Sequence, residues 1–580
     1  MSCAAKKKQD GDIKSILKNR LEYMETKLTG FPCDTEIEQA RSAISDRCRE
    51  FAEHPKGIYR LNVPTGGGKT LGSLRFALAH AEKHGMKRLI FTSPLLSILE
   101  QNASVIREYV GDDSLFLEHH SNVIQTEQTA EQLDERELLI QNWDAPIIIT
   151  TLVQLLNCMF DGRTSSIRRF QSLCDSVIVV DEVQTVPTKM LSLFNLTIRF
   201  LAEQCGATVV LCSATQPCLE ELEHPLLPGP KDIVPYDPEI WKAFVRTELV
   251  PTKNMTLEQL PEFICSCMDR TQSLLVVCNK KSEASFLFEK TVSENYKSFH
   301  LSASMCMQHR RDTVSALKTS LKQGKTLCIS TQVIEAGVDI SFHQVIRLTA
   351  GMDSIIQSAG RCNRNGESNA ASPVYIINCS NEDLGKLQDI RRGKIATIAL
   401  INEFQKSPEQ FCNKLTSDPA IKYYYKSFYS DLSVGALDYP LPKIGTTFFD
   451  LLSENRKFTV LGGEKLENLA LRQSFKTAGE VFSVFDEANV DVLVPYGAGR
   501  QLISQLCSER CLKDLKYRDS LIKQAANYSV SLYEYQRKRL EESGALYQIC
   551  NGAVLALQTE YYDEYIGIKT SKNSFSILEV

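Results

Sequence analysis

The chain has no run of apolar residues near the ~18 needed to cross a membrane, so no transmembrane helix is expected. The lysines of MSCAAKKKQDGDIKS are not followed by an apolar stretch, so this segment is not expected to be a secretory signal. Nineteen cysteines are scattered without a single C-x-x-C pair. That pattern provides neither a zinc ligand set nor a disulfide framework, and Cys265/Cys267 and Cys507/Cys511 are the tightest spacings. Free thiols in a reducing, cytoplasmic compartment are the expectation. No internal repeat of fixed period is present. A formal charge of -5 rules out broad electrostatic attachment to nucleic acid, so any such binding must come from a local groove.

What is present is the composition of an ordinary soluble globular protein, 43% hydrophobic and 24% charged over 580 residues. From Gly57 to about Thr215, short apolar runs (GIYRLNV, KRLIFTS, APIIIT, SVIVV, ATVVLC) alternate with helical stretches, as in a parallel sheet of βαβ units covered on both faces. A second series, SLLVVCN, TLCIS, HQVIRLT and PVYIIN, runs from Ser273 to Asn378. The fold class is therefore α/β, two tandem parallel-sheet domains, with helical and accessory segments after them. The expected domains are 1–53, an N-terminal helical extension; 54–245 and 246–382, the two α/β domains; 383–470, a helical linker; and 471–580, a small accessory domain. His224–Trp241, rich in proline, reads as the linker between the α/β domains, and GEVFSVFDEANVDVLVPYG reads as a small hairpin.

In NVPTGGGKTLGS, the residues Thr65, Gly66, Gly67, Gly68, Lys69 and Thr70 lie between a strand and a helix. Glycines let backbone N–H groups approach oxyanions, and the helix N-terminus favours negative charge. Lys69 can reach β and γ phosphates, and Thr70 can ligate Mg²⁺. Val63 stands where the first glycine of the strict phosphate-loop pattern would be, so this variant needs support from elsewhere. SVIVVDEVQ supplies it. Asp181 and Glu182 end a buried strand at the sheet edge where α/β proteins place ligands. Asp181 suits a metal, and Glu182 suits polarising the water that attacks a γ-phosphate.

In QSAGRCNRNG, Gln357, Gly360, Arg361 and Arg364 have i, i+3, i+4, i+7 spacing, which predicts one helix face carrying two guanidiniums. Such arginines can stabilise a transferring phosphoryl group; alone, they also suit a surface ion-pair face. KYYYKSFY, Lys422 to Tyr429, more often packs between helices than stacks on bases.

The ordered set PTGGGKT, TSP, DEVQ, SAT, STQVIEAGVDIS and QSAGRCNR resembles that of superfamily 2 helicases with two RecA-like domains. With EHHSNV, SATQP, LSASMCMQHRRD, SFKTAGEVF, VLVPYG and YYDEYIGI, the chain is similar to the helicase portion of the type I CRISPR-associated helicase-nuclease family. The resemblance implies an ATP- and Mg²⁺-dependent motor on single-stranded DNA, moving 3′ to 5′ on targets opened by the Cascade surveillance complex. It implies catalytic roles for Lys69, Asp181, Glu182, Arg361 and Arg364, and nucleotide contacts for Gln357 and Asp339. Ser213 and Thr215 would couple hydrolysis to motion, and Gln184 would relay nucleotide state. Thr92, Ser93, Thr150, Thr331 and Gln332 would lie near the DNA backbone. The family's nuclease is built on a His-Asp dipeptide, and no histidine here precedes aspartate. The nuclease is therefore expected in trans or on a removed part. Alternatives are another superfamily 2 motor, acting on RNA or in DNA repair, and a nucleotide-gated DNA-binding scaffold that recruits a nuclease.

Overall fold

The computed structural model describes residues 3–94, 96–119, 139–335, 337–368, 370–385, 387–461, 464–465, 471–484 and 490–569. The chain divides into two compact units, Met1–Val245 with Arg392–Val484, and Arg246–Arg391 with Phe485–Val580.

The first unit is built on seven strands: β1 (Ile58–Asn62), β2 (Arg88–Ser93), β3 (Phe116–His119), β4 (Ile147–Thr151), β5 (Ser176–Val180), β6 (Thr208–Ser213) and β7 (Lys231–Asp232). All pair in parallel, in the order β3-β4-β2-β5-β6-β1-β7. The central strands are continuous apolar runs because both faces are covered. Val177 and Val179 of β5 pack against Leu74, Ala77 and Leu78 of helix Lys69–His84. Ile178 and Val180 face the opposite way, onto Leu193, Phe194 and Ile198 of helix Leu191–Glu203. This alternation follows from the two-residue period of a strand.

The five expected strands are all present. β3 and β7 escape a reading of apolar runs because they are short and polar edge strands. The segment His224–Trp241 is not a free linker: β7 pairs with β1, and Ile233 and Val234 are buried in the first unit's core. In the returning segment, Tyr439, Phe448 and Leu451 join the core of the same unit. Tyr424 and Tyr425 of KYYYKSFY are buried, and Tyr429 donates its hydroxyl to the Pro217 carbonyl, so these rings serve packing.

The second unit has six parallel strands, β8 (Thr247–Pro251), β9 (Ser273–Val277), β10 (Lys297–Leu301), β11 (Thr326–Ser330), β12 (Gln344–Leu348) and β13 (Ser372–Ile377). Their order is β10-β11-β9-β12-β13-β8. The edge strands β8 and β10 are additions to the four expected. A separate four-stranded sheet contains Val490–Leu493, flanked by Ser529–Leu532 and Val554–Leu557. Among the described residues, the hairpin expected here is not seen. Phe475–Val481 is a helix of the first unit, whereas Val490–Leu493 is a strand of the second. Among the described residues, no helix is long and apolar enough to cross a membrane.

Candidate active site

β1 runs into the loop that precedes helix Lys69–His84, and each glycine of that loop has its own physical reason. Gly66 and Gly68 have φ of 83° and 85°, left-handed conformations that side chains disfavour. Gly67 donates its N–H to the Pro64 carbonyl at 2.9 Å, and a Cβ there would sit 2.9 Å from the same oxygen. Arg41 Nε braces the Gly66 carbonyl at 2.8 Å. The loop is thus a shaped backbone cradle at the head of a helix, with Thr65 half-buried in it.

Asp181 and Glu182 follow β5 at the C-terminal edge of the sheet. The Asp181 N–H continues the ladder to the Thr92 carbonyl at 2.9 Å. Glu182 then adopts a left-handed backbone, φ 50° and ψ 51°, a local strain of about 1–2 kcal/mol for a residue with a Cβ. Its carboxylate meets Lys69 Nζ at 3.0 Å, with both side chains over four-fifths buried.

A hydrogen-bonded circuit grows from this pair. Thr70 Oγ1 donates to Asn102 Oδ1 at 3.1 Å, and Asn102 Nδ2 donates to Asp181 Oδ2 at 3.1 Å. The other Asp181 oxygen accepts the Glu182 N–H at 3.0 Å. Gln184 Nε2 donates to Glu182 Oε2 at 2.7 Å, and its Oε1 lies 2.6 Å from Ser213 Oγ. Ser213 Oγ in turn accepts the Thr215 N–H at 2.8 Å. Seven of the residues singled out in the sequence (Lys69, Thr70, Asp181, Glu182, Gln184, Ser213 and Thr215) are therefore joined in one network, with Asn102 as the added link.

The charges in this network do not balance. Burial, then the Glu182 charge, push the Asp181 carboxyl up to about 6, against the pull of Lys69 and the hydrogen bond from Asn102. Burial acts to lower the Lys69 ammonium, but Glu182 and Asp181 outweigh it and hold it above its ordinary value. Two carboxylates thus share one ammonium. A hydroxyl, a carboxylate and this excess negative charge suit a hard divalent cation such as Mg²⁺, with Thr70 and Asp181 as the residues that would hold it.

Thr92, Ser93 and Thr150 stand at the same sheet edge and are buried. The Thr92 hydroxyl bonds the Val179 carbonyl at 3.3 Å, and that of Thr150 bonds the His119 carbonyl at 2.8 Å. Of EHHSNV, residues 120–123 lie outside the described residues.

In the second unit, the helix expected to continue through Arg364 stops at Ala359. The chain there turns to pair with β-bridge partner Phe342: Phe342 N–H bonds the Arg361 carbonyl, and Asn363 N–H bonds the Phe342 carbonyl. Gln357, half-buried, is on the helix, whereas Arg361 and Arg364 lie beyond it. Arg361 is 7% exposed and donates to the Ile334 carbonyl at 3.0 Å and the Glu335 carbonyl at 2.6 Å. Arg364 pairs with Asp339 at 2.9 Å. Thr331 is buried and Gln332 is half-buried after β11.

Sequence reasoning missed Asn102, and it also missed the pair Glu335–Arg347. Arg347 is fully buried with its Nε 3.0 Å from Glu335, and it donates to Asn279 Oδ1 at 2.7 Å and Ser354 Oγ at 2.7 Å. Ser358 Oγ also donates to Glu335, at 2.9 Å. The signal was legible: a lone arginine inside the apolar strand HQVIRLT must be paired when the strand is buried.

Residues 45–223 match the DEAD/DEAH box helicase family, and residues 270–367 match the C-terminal family of the CRISPR-associated nuclease/helicase Cas3. The Cas3 of Methanothermobacter thermautotrophicus is 25% identical over 343 residues, 55% of this chain and 40% of the relative. The Cas3 of Haloferax volcanii is 24% identical over 479 residues, 61% of this chain and 51% of the relative. The chain is thus similar to Cas3 helicases in both of its α/β domains. It spans about half the length, or less, of these two curated relatives. The crystal structure of T. fusca Cas3-ATP shares the fold, with a TM-score of 0.61 at 14% identity, covering 92% of this chain and 69% of that one. The circuit from Lys69 to Thr215 lies inside the DEAD/DEAH match. Glu335, Arg347, Arg361 and Arg364 lie inside the Cas3 C-terminal match.

Proposed function

We propose that the chain is an ATP-driven translocase and DNA helicase that moves 3′ to 5′ on single-stranded DNA. It would act in type I CRISPR interference on targets opened by the Cascade surveillance complex, with the nuclease supplied in trans or by a part outside this chain. The observation that carries the reading is the circuit linking the phosphate cradle to Asp181, Glu182, Gln184 and Ser213.

ATP is the substrate, and Thr65 to Thr70 form its phosphate cradle. Thr70 and Asp181 would hold Mg²⁺, which would supply neutralisation of phosphate charge. Lys69 is paired to Glu182; phosphates offer Lys69 a stronger anionic partner, and its departure frees the Glu182 carboxylate to orient and polarise water. Gln184 keeps that carboxylate aligned through its second oxygen. Ser213 and Thr215 then receive the change, because Gln184 touches both Glu182 and Ser213.

Of the two arginines, Arg364 has an exposed partner, Asp339, which a phosphate could replace, while Arg361 is committed to holding the Ile334–Glu335 backbone. We assign the finger role to Arg364, and nucleotide contacts to Gln357 and Asp339. Among Thr92, Ser93, Thr150, Thr331 and Gln332, the half-buried Gln332 has the side chain best suited to meet a DNA backbone; the buried hydroxyls support the loops.

ATP hydrolysis measured alone, with single-stranded DNA and with RNA tests the proposal. Stimulation by DNA is expected. Stimulation by RNA in preference to DNA would favour an RNA motor, and absent hydrolysis would favour a nucleotide-gated scaffold.

A further inference from the structure

We infer that Asn102 is a positioning residue for the Mg²⁺ site, presenting both Thr70 and Asp181 to the cation. This rests on the reading of the loop as an Mg²⁺-ATP site. Asn102 sits on helix Leu96–Val110, which belongs to neither the phosphate loop nor the DEVQ strand. Its single amide nonetheless contacts one residue of each, both at 3.1 Å.

Chemistry assigns the amide's orientation. An ionised Asp181 only accepts, so the NH₂ of Asn102 must face it, and Oδ1 is left for the Thr70 hydroxyl, which must donate. The consequence for Thr70 is specific. A hydroxyl ligates a cation through its oxygen lone pairs, so its proton has to point elsewhere, and Asn102 Oδ1 takes that proton. Asp181 is fixed as well: one oxygen accepts from Asn102 and the other from the Glu182 backbone, so the carboxylate plane is set before any cation arrives. Removing Asn102 leaves Thr70 free to turn its proton toward the cation and lets the Asp181 carboxylate rotate. Outer partners that orient metal ligands in this way are typically worth roughly 10- to 100-fold in metal affinity.

The test uses the purified chain and a fluorescent non-hydrolysable ATP analogue, with Kd measured in EDTA and in Mg²⁺. In the wild type, Mg²⁺ tightens binding. In Asn102→Ala and the near-isosteric Asn102→Leu, that tightening falls by about 10-fold or more, while the Kd in EDTA stays within about twofold because the glycine cradle is untouched. Asn102→Asp, which keeps an acceptor for Thr70 but sets a carboxylate against Asp181, also loses the effect. Melting temperatures, read in parallel, identify a variant that fails to fold, and the other two then decide. In an Asp181→Asn, Thr70→Val background, Asn102→Leu adds no further loss. Unchanged Mg²⁺-dependent tightening in the folded Asn102 variants, with the wild type responding, overturns the role of Asn102 alone. A wild type that binds the analogue equally well with and without Mg²⁺ overturns the underlying site reading as well.

Discussion

Replacing Gln184 with alanine cuts the circuit at the point where the Glu182 carboxylate is joined to Ser213. The bond from Gln184 Nε2 to Glu182 Oε2 is 2.7 Å long and charge-assisted, a class worth about 1.5–3 kcal/mol. If the alignment it provides is used fully in the transition state, kcat falls by roughly 10- to 150-fold at 1.36 kcal/mol per decade. The Glu182 side chain retains 17% exposure, so water replaces part of the lost bond and the lower end of that range is expected. KM for ATP stays within about twofold, because Gln184 does not touch the cradle, which places the loss in kcat. The assay is steady-state ATP hydrolysis with saturating single-stranded DNA, alongside strand displacement per ATP consumed. Displacement per ATP also falls, since Ser213 no longer senses Glu182. A kcat within twofold of the wild type, with coupling unchanged, would refute the reasoning.

Three further outcomes are expected. Lys69→Ala and Glu182→Gln abolish ATP hydrolysis while circular dichroism and melting show a folded chain; turnover in either variant at near wild-type rates would mean that the site lies elsewhere. Arg347→Ala strands the Glu335 carboxylate in the second unit's core and destabilises that unit by about 3–5 kcal/mol, whereas Arg347→Met with Glu335→Leu recovers most of the loss, both read by calorimetry. His80 is fully buried, donates from Nδ1 to the Ala52 carbonyl and is held down to about 4, chiefly by burial. Its neutral form is the native one, so its stabilisation is complete above an unfolded value of ~6.5 and is lost as pH falls toward 4. At 1.36 kcal/mol per unit this is about 3 kcal/mol, and His80→Gln should shift the acid-unfolding midpoint of the first unit downward.

The candidate site was legible where the chemistry is local. Six consecutive residues, Thr65 to Thr70, specify the cradle, since glycine is the residue that tolerates φ near +85° or the approach to Pro64. SVIVVDE announces a buried strand ending in carboxylates because a parallel sheet covered on both faces excludes polar side chains from its strands. The edge strands β3, β7, β8 and β10 were illegible for the converse reason: half exposed, they need no apolar run. The spacing of Gln357 to Arg364 suggested a helix face, but backbone pairing with Phe342 ended that helix at Ala359, a tertiary contact overriding local periodicity.

By itself, the sequence determined two α/β layers, the glycine loop, the paired acids and the order of the motifs, all of which follow from local conformation and burial. Only the tertiary structure decided which side chains meet. Asn102 lies 32 residues from Thr70 and 79 from Asp181, and Arg347 reaches Asn279 across 68. No spacing rule encodes such distances. They are set by the strand order β3-β4-β2-β5-β6-β1-β7 and its counterpart in the second unit, which bring loops remote in sequence to one sheet edge.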